Sequence, residues 1–335
     1  MDIRRDGLRP SAKIIPRIYK EINKMANITA KDVQTLRTMT GVSMMECKKA
    51  LTETNGDMDE AVKYLREKGL AVAAKKAERI TADGLVDILH DEASKTAVMI
   101  EVNSETDFVA KNDLFKDFVR GCLETIMKER PADVAGLLAK PYAGGGGTVD
   151  AVLKDKIVTI GENISIRRFA VVKGELSTYI HGKGSTGVIV RAAADAKTAS
   201  TAEFKEFLKN IALQIAAMSP LYLDRASVPA DVAENEKQII MAQIKNDPEQ
   251  ANKPQNIIEK MATGRMNKYY EANCLLDQFY VKDDSMSVGA YAADFAKKAG
   301  ADVKIDWFLK YEKGEGIQKR EEDFAAEIAK LTGQA

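Results

Sequence analysis

The chain has 335 residues, 45% of them hydrophobic, enough apolar material for two or three domains with separate cores. Fifty basic residues balance fifty acidic ones, so there is no global positive field to draw the protein to nucleic acid, and only local patches remain available for that. Cys47, Cys122 and Cys274 stand far apart without CxxC spacing, and His90 and His181 are the two histidines. That pattern argues against a disulfide framework and a thiolate zinc site, leaves little material for a histidine-based metal site or triad, and fits a reducing, cytoplasmic setting.

Residues 1–27 form an N-terminal extension. Its first part, "MDIRRDGLRPSAKIIPRIYKEINK", is basic, carries two prolines and lacks the apolar core of a secretory leader. Asp2, Asp6 and Glu21 count against a transit peptide, and Met25 is the natural beginning of the folded part of the chain. No apolar run reaches the roughly 18 residues that a transmembrane helix needs.

Residues 28–80 predict three short helices and a tether. Thr29 caps the first, Ser43 with Glu46 makes a capping box for the second, and Asp57 with Glu60 starts the third. Gly41, Asn55-Gly56 and Gly69 supply stops. Val33, Leu36, Met44, Met45, Ala50, Leu51, Ala61, Val62 and Leu65 recur at helical spacing and read as core. "AVAAKKAER" is a basic helical tether, and the module is small enough to move as a recognition domain.

Beyond the tether a pattern occurs twice. "GLVDILHDEASKTAVMIEVN" predicts strand, turn and strand, and "LFKDFVRGCLETI" a helix; "RFAVVKGELSTYIHGKGSTGVIVRAAA" and "EFKEFLKNIALQIA" repeat the order. Ile100 matches Ile189, Phe115 matches Phe204, Lys116 matches Lys205 and Phe118 matches Phe207. The expected fold is therefore α+β: two related subdomains, 81–173 and 174–320, each an antiparallel sheet with helices on one face. Helical segments between 226 and 275 predict an antiparallel hairpin inserted in the second subdomain. "VKIDWFLKYEKGEG" adds a last strand, and 321–335 a C-terminal helical module. "YAGGGG", residues 142–147, reads as a flexible loop.

The repeat isolates one residue. Where the first copy has Thr106, Asp107 and Phe108, the second has Asp195, Ala196 and Lys197, so the fold does not require an aromatic there. Phe115 and Phe118 are matched across the copies and Phe108 is not, which favours a binding role for it. "GKGSTG", Gly182 to Gly187, fits G-x-G-x-x-G by letter, but a strand follows it where a dinucleotide loop needs a helix, so it reads as a hairpin turn. Glu105 with Asp107 lacks a supporting third group, and no nucleophile elbow, HExxH or Cys-His pattern occurs. The chain therefore reads as a contact protein and not an enzyme, with no cofactor and no metal. A basic tether that binds RNA, or a nucleotide-binding role through GKGSTG, are the alternatives.

Four stretches then bear on family. "LRTMTGVSMMECKKAL", "EVNSETDFVAKN", "IGENISIRR" and "YIHGKGSTGVIV" resemble, in order, the signatures of the elongation factor Ts family. The resemblance runs from Met25 to near the C-terminus. It implies a ubiquitin-associated-like N-terminal domain, two core subdomains, a projecting hairpin and a C-terminal module. The implied activity is guanine-nucleotide exchange on elongation factor Tu, in its GDP-bound and nucleotide-free forms, without membrane or direct nucleic-acid contact. It further implies that Phe108 wedges into the partner near its magnesium side, that Asp107 steadies the wedge within Thr106 to Val109, and that Ile160 and His181 flank the insertion. Leu36, Arg37, Met44, Met45 and Lys48 are implied to bind beside the nucleotide pocket.

Residues 1–24 carry seven basic and three acidic residues, a net +4, and two prolines that disfavour a packed element. A chain starting at Met25 is expected to melt and to release GDP from the partner like the full chain at physiological salt. A several-fold loss of exchange would place the extension in the interface.

Overall fold

The computed structural model describes residues 28–250 and 253–318. The N-terminal extension and the predicted C-terminal module lie outside the described residues. The chain divides into two compact units, one of residues up to 80 with 150–164, the other of 81–149 with 165 onward.

In the first unit, α1 (Ala30–Thr40), α2 (Met44–Glu53) and α3 (Met58–Lys76) are joined by α7 (Val149–Ile160). Thr29 accepts from the Asp32 N–H while Asp32 accepts from the Thr29 N–H, a complete capping box, and Gly41 closes α1 at φ 69°. Ser43 accepts from Glu46 N–H, and Asp57 from Glu60 N–H. Val33, Leu36, Cys47, Ala50, Leu51, Ala61 and Leu65 form the core, with Val158 of α7 packed against it. Met44 and Met45, expected in that core by spacing, are exposed instead. The buried face of α2 is Cys47, Ala50 and Leu51, and both methionines sit in the first turn outside that stripe.

The second unit is built on β1 (Asp83–Asp91), β2 (Thr96–Ser104) and β3 (Ile164–Lys173), ordered β1-β2-β3, and on β4 (Glu175–His181), β5 (Thr186–Ala193) and β8 (Lys304–Glu312), ordered β4-β5-β8. The pairs β1–β2, β4–β5 and β5–β8 are antiparallel. After β2 come α4 (Asp107–Lys111), α5 (Asp113–Glu129) and α6 (Val134–Leu138); after β5 come α8 (Ala196–Ala199) and α9 (Ala202–Met218). Helix α5 packs on β1 and β2, and α9 on β4 and β5. Then α10 (Ala230–Asn246) and α11 (Gln255–Asn273) pair through Ile240, Ile244, Ile258, Ala262 and Met266. A short β6 (Phe279–Tyr280) and β7 (Asp283–Ser287) and helix α12 (Val288–Ala299) lead into β8. Among the described residues the fold is thus α+β with antiparallel pairing, and no helix is long and apolar enough to cross a membrane.

Two glycine stretches are decided by close approach. The "YAGGGG" segment, expected to be flexible, is a closed turn: Gly145 N–H donates to Tyr142 O, Tyr142 N–H to Gly147 O, and the Tyr142 hydroxyl to Asp117 O at 3.0 Å. The Tyr142 ring stacks on Phe118 and occupies the space a side chain at Gly121 would need, 2.1 Å from the site of its Cβ. GKGSTG is the β4–β5 turn, and Gly184 at φ +98° carries its carbonyl to Val86 N–H at 2.8 Å.

Gly184→Ala would put a Cβ 2.9 Å from Leu85 Cβ in a backbone region that disfavours side chains. The expected cost is about 1–3 kcal/mol in urea denaturation, with an unchanged m value. A neutral substitution would contradict this packing.

Candidate partner-binding site

Strand β2 is buried along its whole length, so its C-terminal end is held rigidly in the sheet. Ser104 Oγ donates to Thr106 O at 2.9 Å, which turns the chain out of the strand and into α4. Thr106 precedes the helix in extended conformation. Val109 points inward and is 6% exposed. Phe108, one residue away, is 78% exposed, whereas Phe115 and Phe118 have no exposure. A five-residue helix thus buries one side chain as its root and holds the adjacent ring in water.

Lys111 Nζ joins Asp107 Oδ2 at 2.6 Å and lies 5.5 Å from the Phe108 ring centroid. The lysine hydrogen bond holds the Asp107 carboxyl below the usual carboxylate range. Both groups are well exposed, so the pair contributes little to stability and acts on side-chain orientation. His181 ends β4, exposed, with Nδ1 3.0 Å from the Tyr179 hydroxyl, and its carbonyl accepts from the N–H groups of Gly184 and Ser185.

Unit by unit, Thr106, Asp107, Phe108, Val109 and His181 fall in the second, and Leu36, Arg37, Met44, Met45, Lys48 and Ile160 in the first. Arg37, Met44, Met45 and Lys48 present exposed side chains, Met45 at 76%. Positions 44 and 48 are neighbours on one face of α2. Leu36 has no exposed surface and supports α1 from within the core. Ile160 is half-buried at the end of α7.

Residue-by-residue reading missed a charged cluster at the base of this site. Glu101 lies in β2 with no exposure. Its Oε1 accepts from Gly314 N–H at 2.8 Å, Arg167 Nη1 at 3.0 Å and Asn103 Nδ2 at 3.2 Å, and its Oε2 from Arg168 Nε at 2.6 Å. Burial pushes the carboxyl up, but the Gly314 N–H and the Arg167, Asn103 and Arg168 donors outweigh it and hold Glu101 below its ordinary value. The signal was a single acid within the apolar run "TAVMIEV". Among the described residues no group of acids, histidines and cysteines is arranged to hold a metal ion. A cavity of about 400 Å³ lined by His90, Lys95, Glu175 and Lys205 lies elsewhere in the second unit, and none of the predicted site residues lines it.

Comparison with known proteins decides the family. Residues 105–315 match the family model described as Elongation factor TS. The elongation factor Ts of Trichlorobacter lovleyi is 44% identical over 91% of this chain and 99% of its own length. Those of Clostridioides difficile, at 45% over 91% and 99%, and of a Nitratiruptor species, at 46% over 90% and 98%, are as similar. The chain belongs to the elongation factor Ts family. As a member of that family it serves as a nucleotide exchange factor for elongation factor Tu in translation elongation. The span matched by the elongation factor TS model takes in Phe108, Ile160 and His181, while α1 to α3 precede it.

Phe108→Ala is expected to change unfolding free energy by no more than about 1 kcal/mol, the scale of an exposed cation–π contact. Phe115→Ala, cut from the core, is expected to cost about 3–5 kcal/mol. Equal losses in thermal and denaturant melts would make Phe108 a core residue.

Proposed function

We propose that this chain drives GDP release by protein–protein contact alone, with Phe108 as the inserted group. One observation carries the reading: a phenylalanine 78% exposed beside a root residue 6% exposed. Free aromatic surface is costly to display in water and is regained when a partner pocket covers it. Asp107 and Lys111 bracket the ring and limit its rotamers, which reduces the entropy lost on insertion. His181, steadied by Tyr179, serves as a flanking contact, and Ile160, in the first unit, as a contact of its own with the partner. Arg37, Met44, Met45 and Lys48 form a second contact near the nucleotide pocket, supported by Leu36 beneath, where flexible methionine side chains adapt to the partner's surface.

Several features support a core of two related subdomains within this reading. Helices α5 and α9 each have 17 residues and end on a left-handed residue, Arg130 at φ 51° and Ser219 at φ 47°. The hairpin turns carry positive-φ residues at matching places, Lys95 at φ 48° and Gly184 at φ 98°. The three-helix arrangement of 28–80 corresponds to the ubiquitin-associated-like domain, and the α10–α11 hairpin to a further arm for the partner. Elongation factor Tu is bound in its GDP and nucleotide-free forms, in the cytoplasm, without nucleic acid.

The mechanism is thermodynamic linkage. A G-protein holds GDP through its phosphate loop and magnesium ion. A protein that binds the empty form more tightly weakens GDP binding by the same factor. Weakening by about four powers of ten needs about 5.5 kcal/mol of differential binding.

The test is release of labelled GDP from elongation factor Tu. The wild-type chain is expected to accelerate release, and Phe108→Ala to lose about tenfold or more of that acceleration while remaining folded. Titration of the chain alone with GDP, GTP or NAD is expected to show no binding. Unchanged exchange by the variant would remove Phe108 from the mechanism, and tight nucleotide binding by the chain alone would favour a nucleotide-binding role for GKGSTG.

A further inference from the structure

We propose that Glu101 is a positioning residue for exchange, clamping the strand that carries Phe108 to the turn that follows β8. The inference rests on the insertion role of Phe108.

Glu101 gathers donors from three separate parts of the chain. Arg167 and Arg168 come from β3, Asn103 from β2 itself, and the Gly314 N–H from the turn after β8. The turn is fixed again on its other side. Arg168 Nη2 donates to Glu315 Oε2 at 2.9 Å, Arg167 donates to the Glu315 carbonyl, and the Arg168 guanidinium lies 4.0 Å over the Tyr311 ring. Gly314 takes φ +68°, and a Cβ there would stand 2.2 Å from Ala82 O, so the turn fits only as glycine against the start of β1.

Two links run from this cluster to the root of Phe108. Asn103, bonded to Glu101, also donates to Asp83 O at 3.0 Å and so fixes the last residues of β2 against the first of β1. Lys313, adjacent to Gly314, pairs with Asp83 Oδ1 at 2.7 Å, and its charge also reaches Asp107 at the head of α4. Helix α4 rests on β1 and β2 with only Val109 fully inside. Five residues cannot orient a ring by their own helical bonds. The direction in which Phe108 leaves the surface is therefore set by the end of β2, and Glu101 sets that end. A buried carboxylate is an exacting anchor: replacing it with a neutral amide takes away the charge that answers both guanidinium groups and one of its two acceptor oxygens, and leaves the turn held by its Glu315 and Tyr311 contacts.

Glu101 differs from an ordinary structural acid in that its effect on exchange has to pass through Phe108. The test is a double-mutant cycle on the full chain, read as release of labelled GDP from elongation factor Tu well below the melting temperature. Glu101→Gln is expected to remain folded by circular dichroism and to lose about tenfold of its exchange acceleration, the scale expected when a working group is misplaced by less than an ångström. In the Phe108→Ala background the same substitution is expected to cause no further loss. Lys313→Met, a change at a partly exposed side chain, is expected to give a smaller loss that likewise vanishes without Phe108; if Glu101→Gln fails to fold, this second cycle decides. Full exchange by folded Glu101→Gln, or the same fold loss in both backgrounds, would overturn the inference. A loss in Phe108→Ala with additive Glu101 effects sinks the clamp and spares the insertion role, whereas wild-type exchange by Phe108→Ala sinks the insertion role itself.

Discussion

A carboxylate sealed from water has to have its charge answered inside the protein, and at Glu101 four donors do so. The requirement is geometrically strict, because the donors arrive from β2, β3 and the turn after β8. Meeting it brings the last strand among the described residues back to the first sheet of its unit. The same strand, β8, pairs with β5 in the second sheet, so one element borders both sheets. The exposed ring of Phe108 stands at the end of the strand that this cluster fixes. Rigidity at the base and exposure at the tip are complementary. A ring free to fold back would cover itself with its own surface, and a ring on a mobile loop would lose binding energy to ordering.

The arrangement suits an exchange factor better than an enzyme. Exchange needs differential binding to two states of a partner and no bond-making group. In the proposed role the aromatic, the aspartate steadied by a lysine and the histidine held by a tyrosine all act as contact groups. The first unit presents a different chemistry, exposed methionines and cations on α1 and α2, whose core is closed by α7 from much later in the chain. Two units with distinct surfaces are what a protein needs if it grips a partner at more than one place.

Much of this was legible in the sequence because it is local. Thr29 and Asp57 are caps by type and position, and they cap in the structure. GKGSTG was a hairpin because a strand, and no helix, follows it. Phe108 stood out because its repeat partner is not aromatic. What escaped is non-local. Three of the four donors to Glu101 lie 66, 67 and 213 residues further along the chain, and no periodicity links them. Met44 and Met45 have helical spacing, but spacing cannot say where around α2 the buried stripe is centred, and Cys47, Ala50 and Leu51 took that place. The glycine run looked mobile because its order comes from Tyr142 docking over Gly121, again a distant pairing.

On the proposed linkage, this chain prefers elongation factor Tu without nucleotide. Calorimetric titration of the chain into nucleotide-free and into GDP-bound elongation factor Tu measures that preference directly. Much tighter binding to the empty form is expected, by the same factor by which the chain weakens GDP in the reciprocal titration, and a much smaller ratio for Phe108→Ala. Equal affinity for the two forms would contradict it, since a protein that binds both states alike shifts neither.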